Sequence, residues 1–461
     1  MRLAAAAVLV AAGCALFSRR PPVANTAEAA IRRALLAGKG TIDLPHGVIE
    51  VHREIEIPAE ADHLEIRGSP QGTTLRACDD FQGQAVFRCE RATRVRFADF
   101  AVDGNRTALE RRTGLPGFST PFVRFTAGNG ILAVDARSLQ ISNIRFSNVP
   151  GFAILVSRSQ DVSIDGVSIV DSGSRTAAGR NNTSGGILLE EGTHNFAVTR
   201  CDVRNVRGNG IWTHSLGMAP QNHDARIASN HFERVGRDAI QVGHGLRIRV
   251  EDNSGSEIGY PLEDVDMEDL ATPVAIDTAG DTADSQYLRN HFAEINGKCI
   301  DLDGFHDGSV IGNSCVNHFG TERYPYANLG IVFNNSTPSM RSENVDIEDN
   351  ELDGAVFSGI FVIGERHRIA HNRLLHLNRA HCGGSTAQVG CSYSPGEPGL
   401  LRSGIYLANG GQRTSPAQAN VIEDNQISGF GMSANCINVA SGVPISANTI
   451  ARNICRDDPA K

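Results

Sequence analysis

The chain of 461 residues carries 43 lysines and arginines against 52 aspartates and glutamates, which gives a formal net charge of −9 at pH 7. It has no lysine- or arginine-rich run, so nucleic acid is not an expected partner. Glycine is abundant at 48 residues, and tryptophan occurs once. This composition favours one long repetitive domain over two or three compact ones.

The first residues predict export. Arg2 precedes an apolar run over residues 3–12, and Gly13 and Cys14 follow the run. The run is too short to span a bilayer, and the pattern is typical of a lipoprotein signal over residues 1–14 with Cys14 acylated. Ordinary signal cleavage is the alternative. We expect a periplasmic or cell-surface protein of a bacterium that is attached to the membrane only through lipidated Cys14.

A linker over residues 15–26 and a single domain over residues 27–461 are expected to follow. Residues 27–37 predict a short amphipathic helix, and the segments 40–47 and 64–68 after it suit the entry into a repeat array. We expect this helix to cover the exposed first edge of the array.

The most regular feature is a returning phrase in which an aliphatic residue, one or two variable residues and an asparagine follow one another. It recurs roughly every 20 to 25 residues where no insertion intervenes, and a fixed period of that size indicates a solenoid. The amide side chains are expected to bond to the backbone and to one another from coil to coil, as a ladder. The asparagines are Asn230, Asn253, Asn290, Asn313, Asn350, Asn372 and Asn425.

A short strand follows each phrase, and its β-branched residues alternate as in half-buried strands. Helix-length apolar periodicity is absent from this region, which argues against helical repeats. The predicted strands lie within residues 210–214, 239–242, 299–303, 330–333, 359–362, 404–407 and 436–439.

With this phrase, these strands and this N-terminal helix, the chain resembles the right-handed parallel β-helix proteins of the pectin-lyase-like superfamily over residues 40–455. The resemblance implies an all-β fold, a right-handed parallel β-helix solenoid whose open end is capped by the short helix.

Five insertions interrupt the repeat, and in β-helix enzymes such loops wall a groove that runs along the coils. One of them is strongly acidic, and Ca²⁺ is a possible ligand there, although the spacing matches no EF-hand loop; a solvated acidic wall is the alternative. The insertions cover residues 106–129, 172–186, 254–273, 319–329 and 381–403, and the acidic side chains are Glu263, Asp264, Asp266, Glu268 and Asp269.

Strand alternation predicts which side chains point away from the coils. If the first isoleucine of each strand points inward, the outward residues form one contiguous polar patch, because neighbouring coils lie about 4.8 Å apart. Its members in successive coils are Leu188 with Glu190, Trp212 with His214, Gln241 with His244, Asp277, and Asp301 with Asp303, before the apolar Val332 and Phe361.

Asp277, Asp301 and Asp303 are the first candidates for catalysis. Carboxyl groups on adjacent coils repel one another, which should raise at least one pKa, as a general acid paired with a base or nucleophile requires. The alternative is that they are solvated surface residues of an acidic protein.

Three basic side chains extend the candidate catalytic set. Lys298 is one of only three lysines, and a role as a proton-transfer base stands beside a simple salt bridge. His214 and His244 are candidate acid/base partners or metal ligands, and turn histidines bonded to the backbone are the alternative.

Four residues are expected to bind substrate. Trp212 should point outward and stack on the apolar face of a sugar, although packing under the 172–186 loop competes with this interpretation. Glu190, Gln241 and His306 are the polar members of this set.

The cysteines agree with an oxidising compartment. Their proximity in sequence predicts three disulfides and a fourth candidate, whereas Cys201 occupies an asparagine position and is expected to be a small buried residue rather than a reactive thiol. No Cys-x-x-Cys pair suggests zinc, and neither a metal site nor a required cofactor is predicted. The pairs are Cys382 with Cys391, Cys299 with Cys315, Cys436 with Cys455, and Cys78 with Cys89.

Two family motifs match in part. Gly243-His244-Gly245 is similar to the Gly-His-Gly of polygalacturonases, but here it precedes Asp277 and Asp301, whereas there it follows the catalytic strand. Residues 241–253 are similar to alginate and chondroitin lyases, which use a lysine and an arginine where this chain has His214 and Gly243. No catalytic residue is transferred from either family.

Three hypotheses of function follow. The first is an exported glycoside hydrolase that acts on a polysaccharide or oligosaccharide through the carboxylates. The second is a polysaccharide lyase or uronate C5-epimerase with a lysine or histidine base, although an acidic chain suits a polyanionic substrate poorly. The third is a non-catalytic glycan-binding or surface β-helix protein.

Overall fold

The computed structural model describes a three-sided solenoid of parallel strands. Cys14, Asp266, Glu268 and Asp269 lie outside the described residues, as do the signal and most of the linker. No helix in the described part of the chain is long and apolar enough to cross a membrane. The described residues are 26–117, 119–265, 272–325, 328–337, 339–385, 390–391, 397, 399–410 and 413–459.

The first sheet carries the candidate site. Two long strands, Gly47–Ile57 and Thr73–Glu90, enter it around a corner from the third sheet, and each later strand pairs in parallel with the strand one coil away. Its other strands are Asn129–Val134, Ile154–Ser157, Ile187–Glu190, Ile211–His214, Ile240–Val242, Val274–Ala283, Lys298–His306, Ile331–Asn334, Ile360–Val362, Ile405–Leu407 and Ile437–Val439.

The second and third sheets complete each coil, and the described residues contain 39 strands in all. The second sheet comprises Gly40–Asp43, Asp62–Arg67, Thr93–Ala98, Arg137–Ser142, Gln160–Asp165, His194–Thr199, Asn222–Ala228, Gly245–Glu251, Gln286–Leu288, Gly308–Ile311, Val345–Glu348, Arg368–Ala370, Val421–Glu423 and Thr449–Ala451. The third comprises Ala101–Asp103, Arg145–Ser147, Ser168–Val170, Asp202–Val206, His231–Val235, Ser254–Ile258, His291–Ile295, Ser314–Val316, Glu351–Asp353, Arg373–Leu377, Gln426–Gly429 and Ile454–Asp457.

Stacked aliphatic side chains fill the interior. The first isoleucine of each strand pairs with that of the next coil along the first sheet, and burial of these identical side chains drives the coils together. The predicted inward direction is therefore confirmed. The stack is Ile131, Ile154, Ile187, Ile211, Ile240, Ile276, Ile300, Ile331, Ile360, Ile405 and Ile437.

The predicted asparagine ladder is confirmed. Each amide donates both to the amide oxygen of the next coil and to a backbone carbonyl, as in Asn253 Nδ2 to Asn290 Oδ1 at 2.8 Å and to Ile227 O at 3.0 Å. The residue before each ladder asparagine has a left-handed backbone conformation, which makes a tight corner. The asparagine side chain satisfies the backbone groups that this corner leaves unpaired. The ladder joins Asn230, Asn253, Asn290, Asn313, Asn350, Asn372, Asn425 and Asn453.

A helix caps the first coil as predicted. Helix α1, Ala27–Leu35, begins at the N-cap Thr26, whose hydroxyl accepts from Ala29 N at 3.2 Å. It ends two residues before the predicted boundary, because Gly38 adopts a left-handed φ of 66° and turns the chain into the first strand. Ile31 on its inner face is buried on the solenoid.

Seven further short helical turns lie in the connections of the described chain. They are α2, Arg106–Leu109; α3, Phe122–Phe125; α4, Met432–Asn435; and the 3₁₀ turns Leu262–Asp264, Thr321–Arg323, Leu400–Arg402 and Ile445–Ala447.

Three of the four candidate disulfides are present, namely Cys299–Cys315, Cys382–Cys391 and Cys436–Cys455. In the chain-entropy treatment, closing loops of this length stabilises the fold by about 3 kcal/mol each. The fourth prediction is wrong: Cys78 and Cys89 are both free, because Cys89 points into the core while Cys78 faces outward. Cys201 is free and buried, as expected.

Candidate functional site

The outward column of the first sheet is continuous. Cα pairing runs in register through Leu188, Trp212, Gln241, Asp277, Asp301, Val332 and Phe361, one residue per coil. A second column two residues further along each strand places Glu190 beside His214, and Ala279 beside Asp303. The arrangement of the predicted site residues along the solenoid is therefore as expected.

Asp277 and Asp301 form the centre of the site, one coil apart. Gln241 Nε2 donates to Asp277 Oδ2 at 2.7 Å. The ammonium group of Lys298 donates to one oxygen of Asp301, and Asn334 Nδ2 donates to the other at 2.8 Å. Both carboxyl groups are largely buried, with 9% and 5% of their residues exposed, so each opens to solvent through a narrow area.

The two carboxyl groups differ in their surroundings. Burial raises the pKa of Asp277 well above its usual range, and repulsion from Asp238 and Asp301 adds to the rise. Burial lowers the pKa of Lys298, but attraction to Asp301 outweighs burial and the net pKa is raised. The site therefore holds one carboxyl group whose pKa is raised and one that is paired with the Lys298 ammonium group.

Asp303 lies on the same strand as Asp301, two residues further along, and pairs with Asn334 of the next coil. Its carboxyl group accepts from Ser336 N at 2.7 Å and from the Ser336 hydroxyl. Burial raises the pKa of Asp303, although these hydrogen bonds oppose the rise. Asp303 is half-buried and marks the margin of the carboxylate cluster.

The Trp212 end of the column is covered. Helix α3 packs Phe122 on Trp212, with 4.8 Å between ring centroids, and on His214 at 5.4 Å. The expected exposure of Trp212 is therefore wrong, since only 7% of the residue is exposed. Packing is the correct alternative, but the covering segment comes from the 106–129 insertion and not from the 172–186 loop.

Glu190 holds this cover in place. Its two carboxylate oxygens accept from Phe122 N and Val123 N, both at 2.9 Å, and the residue is fully buried. Burial raises the pKa of Glu190 to about 7. The predicted role of Glu190 in substrate binding is not supported, because both oxygens are occupied by the backbone beneath the cover.

The three predicted histidines lie apart from the carboxylate pair. Burial lowers the pKa of His214 to about 4 and also lowers that of His244, so both rings are neutral at pH 7. His306 is buried at the corner after the strand, where Asp307 Oδ2 lies 2.7 Å from its Nδ1 and Asp281 Oδ1 lies 3.0 Å from its Nε2. His306 thus presents no face to a substrate, contrary to expectation.

Four polar residues of the site were not predicted. Asp238 is buried and accepts from Val274 N at 3.0 Å, and burial raises its pKa to about 6. Asn209 Nδ2 donates to Gln241 Oε1 at 2.7 Å. Asn334 donates to Asp301, and Ser336 donates to Asp303. Asn209 and Asp238 occupy the position two residues before the inward isoleucine, as Lys298 does, and that shared offset is the signal that would have found them.

Three of the insertions are bonded to one another through side chains. Glu110 Oε1 accepts from Arg207 Nη1 at 2.7 Å and from Arg175 N at 2.8 Å. Arg175 also donates to Asp264 at 2.5 Å, which joins the 172–186 loop to the described part of the acidic loop. Asp264 is thus a salt-bridge partner, and the predicted calcium ligands beyond Val265 lie outside the described residues.

Two groups of side chains within the described chain place three possible metal ligands within 4.8 Å of one another. The first is Glu190, Glu191 and His214. Its carboxyl groups already accept from backbone N–H groups. Leu216 N donates to Glu191 at 3.0 Å, and Glu190 accepts from the backbone of α3. These hydrogen bonds account for the group without a metal. The second group lies on the first two coils, at residues 50–78.

Comparison with known proteins identifies the fold. A family model described as a right handed beta helix region matches residues 123–262. The predicted fold, a right-handed parallel β-helix, is therefore confirmed. No curated protein has a sequence that matches this chain.

Solved structures of diverse proteins share the fold. The surface adhesin PfbA of Streptococcus pneumoniae has a TM-score of 0.58 and 13% identity over 77% of this chain and 89% of its own. DFA-IIIase from Arthrobacter chlorophenolicus A6, in complex with GF2, has a TM-score of 0.52 and 15% identity over 95% and 97%. The polygalacturonase from Erwinia carotovora ssp. carotovora has a TM-score of 0.50 and 12% identity over 72% and 91%. Identity at this level establishes the fold alone.

Proposed function

We propose that this protein is an exported glycoside hydrolase that cleaves a polysaccharide or oligosaccharide, with Asp277 as general acid and Asp301 as nucleophile. One observation carries the proposal: two carboxyl groups on adjacent coils differ in environment, one with a raised pKa and one paired with Lys298. In glycosidases, one carboxyl group acts as the acid and its neighbour as the nucleophile because their environments give them different pKa values.

The proposed reaction has two steps. Asp277 donates its proton to the glycosidic oxygen while a carboxylate oxygen of Asp301 bonds to the anomeric carbon, and the leaving saccharide departs as an alcohol. Water then releases the sugar from Asp301, and its proton returns to Asp277. Paired residues on adjacent coils lie about 4.8 Å apart, which favours the carboxyl separation of about 5 Å of retaining enzymes over the wider inverting one.

The protonation of Lys298 argues against the lyase and epimerase alternative. A base that removes a proton beside a carboxylate must itself be neutral, whereas the pKa of Lys298 is raised. His214 is neutral at pH 7 but lies under Phe122. Two neighbours of the same fold, a polygalacturonase and DFA-IIIase, have names that denote carbohydrate-active enzymes, which agrees with hydrolysis.

The proposal places the protein outside the cytoplasm. Three disulfides in the described chain support an oxidising compartment. Lipidation at Cys14 remains part of the proposal, and it predicts that the protein partitions into detergent unless Cys14 is replaced by serine.

The direct test is a panel of neutral and acidic polysaccharides, assayed in parallel for new reducing ends and for the absorbance of unsaturated uronides. We expect reducing ends without unsaturated product, retention of anomeric configuration, and loss of activity at high pH as Asp277 gives up its proton. Asp301→Asn should lower turnover by about 10³-fold, within the usual range for such groups. Asp346→Asn, an outward carboxyl on the second sheet, is the matched control and should be fully active.

Unsaturated products would replace the hydrolase with the lyase alternative. Glycan binding without turnover, unchanged by Asp301→Asn, would leave only a binding protein similar in role to the adhesin.

A further inference from the structure

Cys78, His52 and Glu50 meet at the second of the two groups of possible metal ligands, on the first two coils and far from the carboxylate pair. Glu50 and His52 belong to the strand Gly47–Ile57, and Cys78 belongs to the strand Thr73–Glu90 one coil later. One atom from each of the three side chains lies within 4.8 Å of the others. Thiolate, imidazole and carboxylate are the three ligand types that zinc takes in proteins.

Regular pairing of the two strands brings these side chains together, next to a bulge. Val51 pairs with Ala77 and Arg53 pairs with Gln82, so a single residue, His52, lies opposite the four residues 78–81. Extra residues in one strand of a pair re-aim side chains, and such bulges are common beside functional sites. Strand alternation turns Cys78 outward after the inward Ala77, so it faces His52, and the extra residues of the bulge follow directly after it.

The spacing suits a tetrahedral ion. His52 Nε2 lies 3.7 Å from Cys78 Sγ. Zinc bonds of about 2.3 Å to sulfur and about 2.0 Å to nitrogen, at a tetrahedral angle, separate those two atoms by about 3.6 Å. The observed distance therefore matches that between two ligand atoms of one tetrahedral zinc ion.

A neighbouring carboxylate orients the imidazole. Asp80 Oδ1 lies 2.7 Å from His52 Nδ1, which fixes the ring so that Nε2 points at the thiol. A carboxylate behind a histidine is the usual outer partner of a zinc ligand, since it fixes the tautomer and raises ligand basicity. The neighbouring Asp79 has a different partner, since it accepts from Asn105 Nδ2 at 2.8 Å.

We propose that Glu50, His52 and Cys78 bind one Zn²⁺ ion, which leaves a fourth position for water and joins the first two coils beneath helix α1. A solenoid is least supported at its ends, where a coil has one neighbour only. Zinc bound across two coils would favour the folded end by mass action.

The test is Zn²⁺ titration of the untagged full chain with its disulfides intact, carrying Cys14→Ala in every sample so that this thiol adds no signal. We expect one zinc per chain in competition with a chromophoric chelator, and a thiolate-to-metal absorption band when Co²⁺ replaces Zn²⁺. Cys78→Ser should remove the band and weaken binding at least 100-fold, whereas Cys201→Ser, which changes a buried free thiol, should alter neither.

Asp80→Asn supplies the finer test. Loss of an outer carboxylate typically weakens zinc binding by about 10- to 100-fold, so a loss in this range is expected, and Asp79→Asn should bind as the parent does. Mg²⁺ at the same concentration should neither compete nor raise the unfolding temperature. The proposal is overturned if zinc fails to bind, or if it binds equally to the parent and to Cys78→Ser.

Discussion

Two regions of the outward column share one backbone geometry but differ in chemistry. At one end Trp212 and Leu188 lie under helix α3 in a small apolar cluster outside the main core. In the middle of the column, Asp277 and Asp301 keep a narrow opening and accept from amide and ammonium donors. The alternation of a strand decides which side chains leave the solenoid, and the loops decide which of them remain accessible.

The buried carboxyl group in each region has a different task. Glu190 uses both oxygens to hold the backbone of the cover, so its raised pKa reflects burial in a structural role. Asp277 has a single side-chain donor, Gln241, and its raised pKa leaves a proton available at the opening. A shifted pKa thus marks function only where the group also has a free oxygen and access to solvent.

The largest expected effect is on stability at the covered end. Trp212→Ala removes the ring on which Phe122 packs, and truncation of a buried aromatic side chain costs about 3 to 5 kcal/mol. Phe361→Ala, in the same column at the far end, removes a partly exposed ring and should cost less. Chemical denaturation of both variants measures the difference, and a larger loss for Phe361→Ala would break the comparison.

A pH-dependent effect of similar size is expected at Glu190. The unfolded chain releases this proton near pH 4.5 and the folded chain near 7, so folding stability falls as pH rises through that window. The difference corresponds to about 3 kcal/mol. Glu190→Gln should flatten this slope, because the amide resembles the protonated carboxyl group and does not titrate.

Glu251 is the matched control for this slope. It is also buried, but hydrogen bonds from Arg226 and Arg249 outweigh burial and lower its pKa. Its contribution to stability is therefore present at neutral pH and is lost in acid, so Glu251→Gln should be most destabilising at neutral pH. Equal slopes for the two variants would contradict the assigned environments.

A smaller effect, about 10²-fold on turnover, is expected from Lys298→Met, because Asp301 then loses its cation. Lys298→Arg keeps the positive charge and should retain activity to within about tenfold, although its geometry differs. Arginine does not lose its proton in proteins, so complete inactivity of Lys298→Arg in a correctly folded protein would favour lysine as the base. Circular dichroism of both variants verifies the fold.

The fold could be predicted almost completely because its signals are periodic. The asparagine spacing gives the register, and the register places Gln241, Asp277, Asp301 and Asp303 in their observed order. Local alternation within each strand then suffices to separate inward from outward side chains.

The cover and the second ligand group could not be predicted for the same physical reason. The insertion that carries Phe122 has no period, and its position over Trp212 depends on bonds to Glu190, 68 residues away in sequence. The predicted pairing of Cys78 with Cys89 rested on proximity in sequence, which does not reveal that the two side chains lie on opposite faces of their strand. Non-periodic segments are placed by tertiary contacts, which strand patterns do not encode.

Asp277→Asn, measured for both stability and activity, tests the central claim most directly. Asparagine resembles the protonated carboxyl group and can accept from Gln241, so it removes the cost of keeping a buried acid protonated. The free energy of unfolding should therefore rise at pH 7 and stay unchanged below the ordinary pKa of aspartate, while hydrolysis falls by about 10²- to 10⁴-fold. Retained hydrolysis, or a loss of stability at pH 7, would contradict the assignment of Asp277 as the protonated acid of the site.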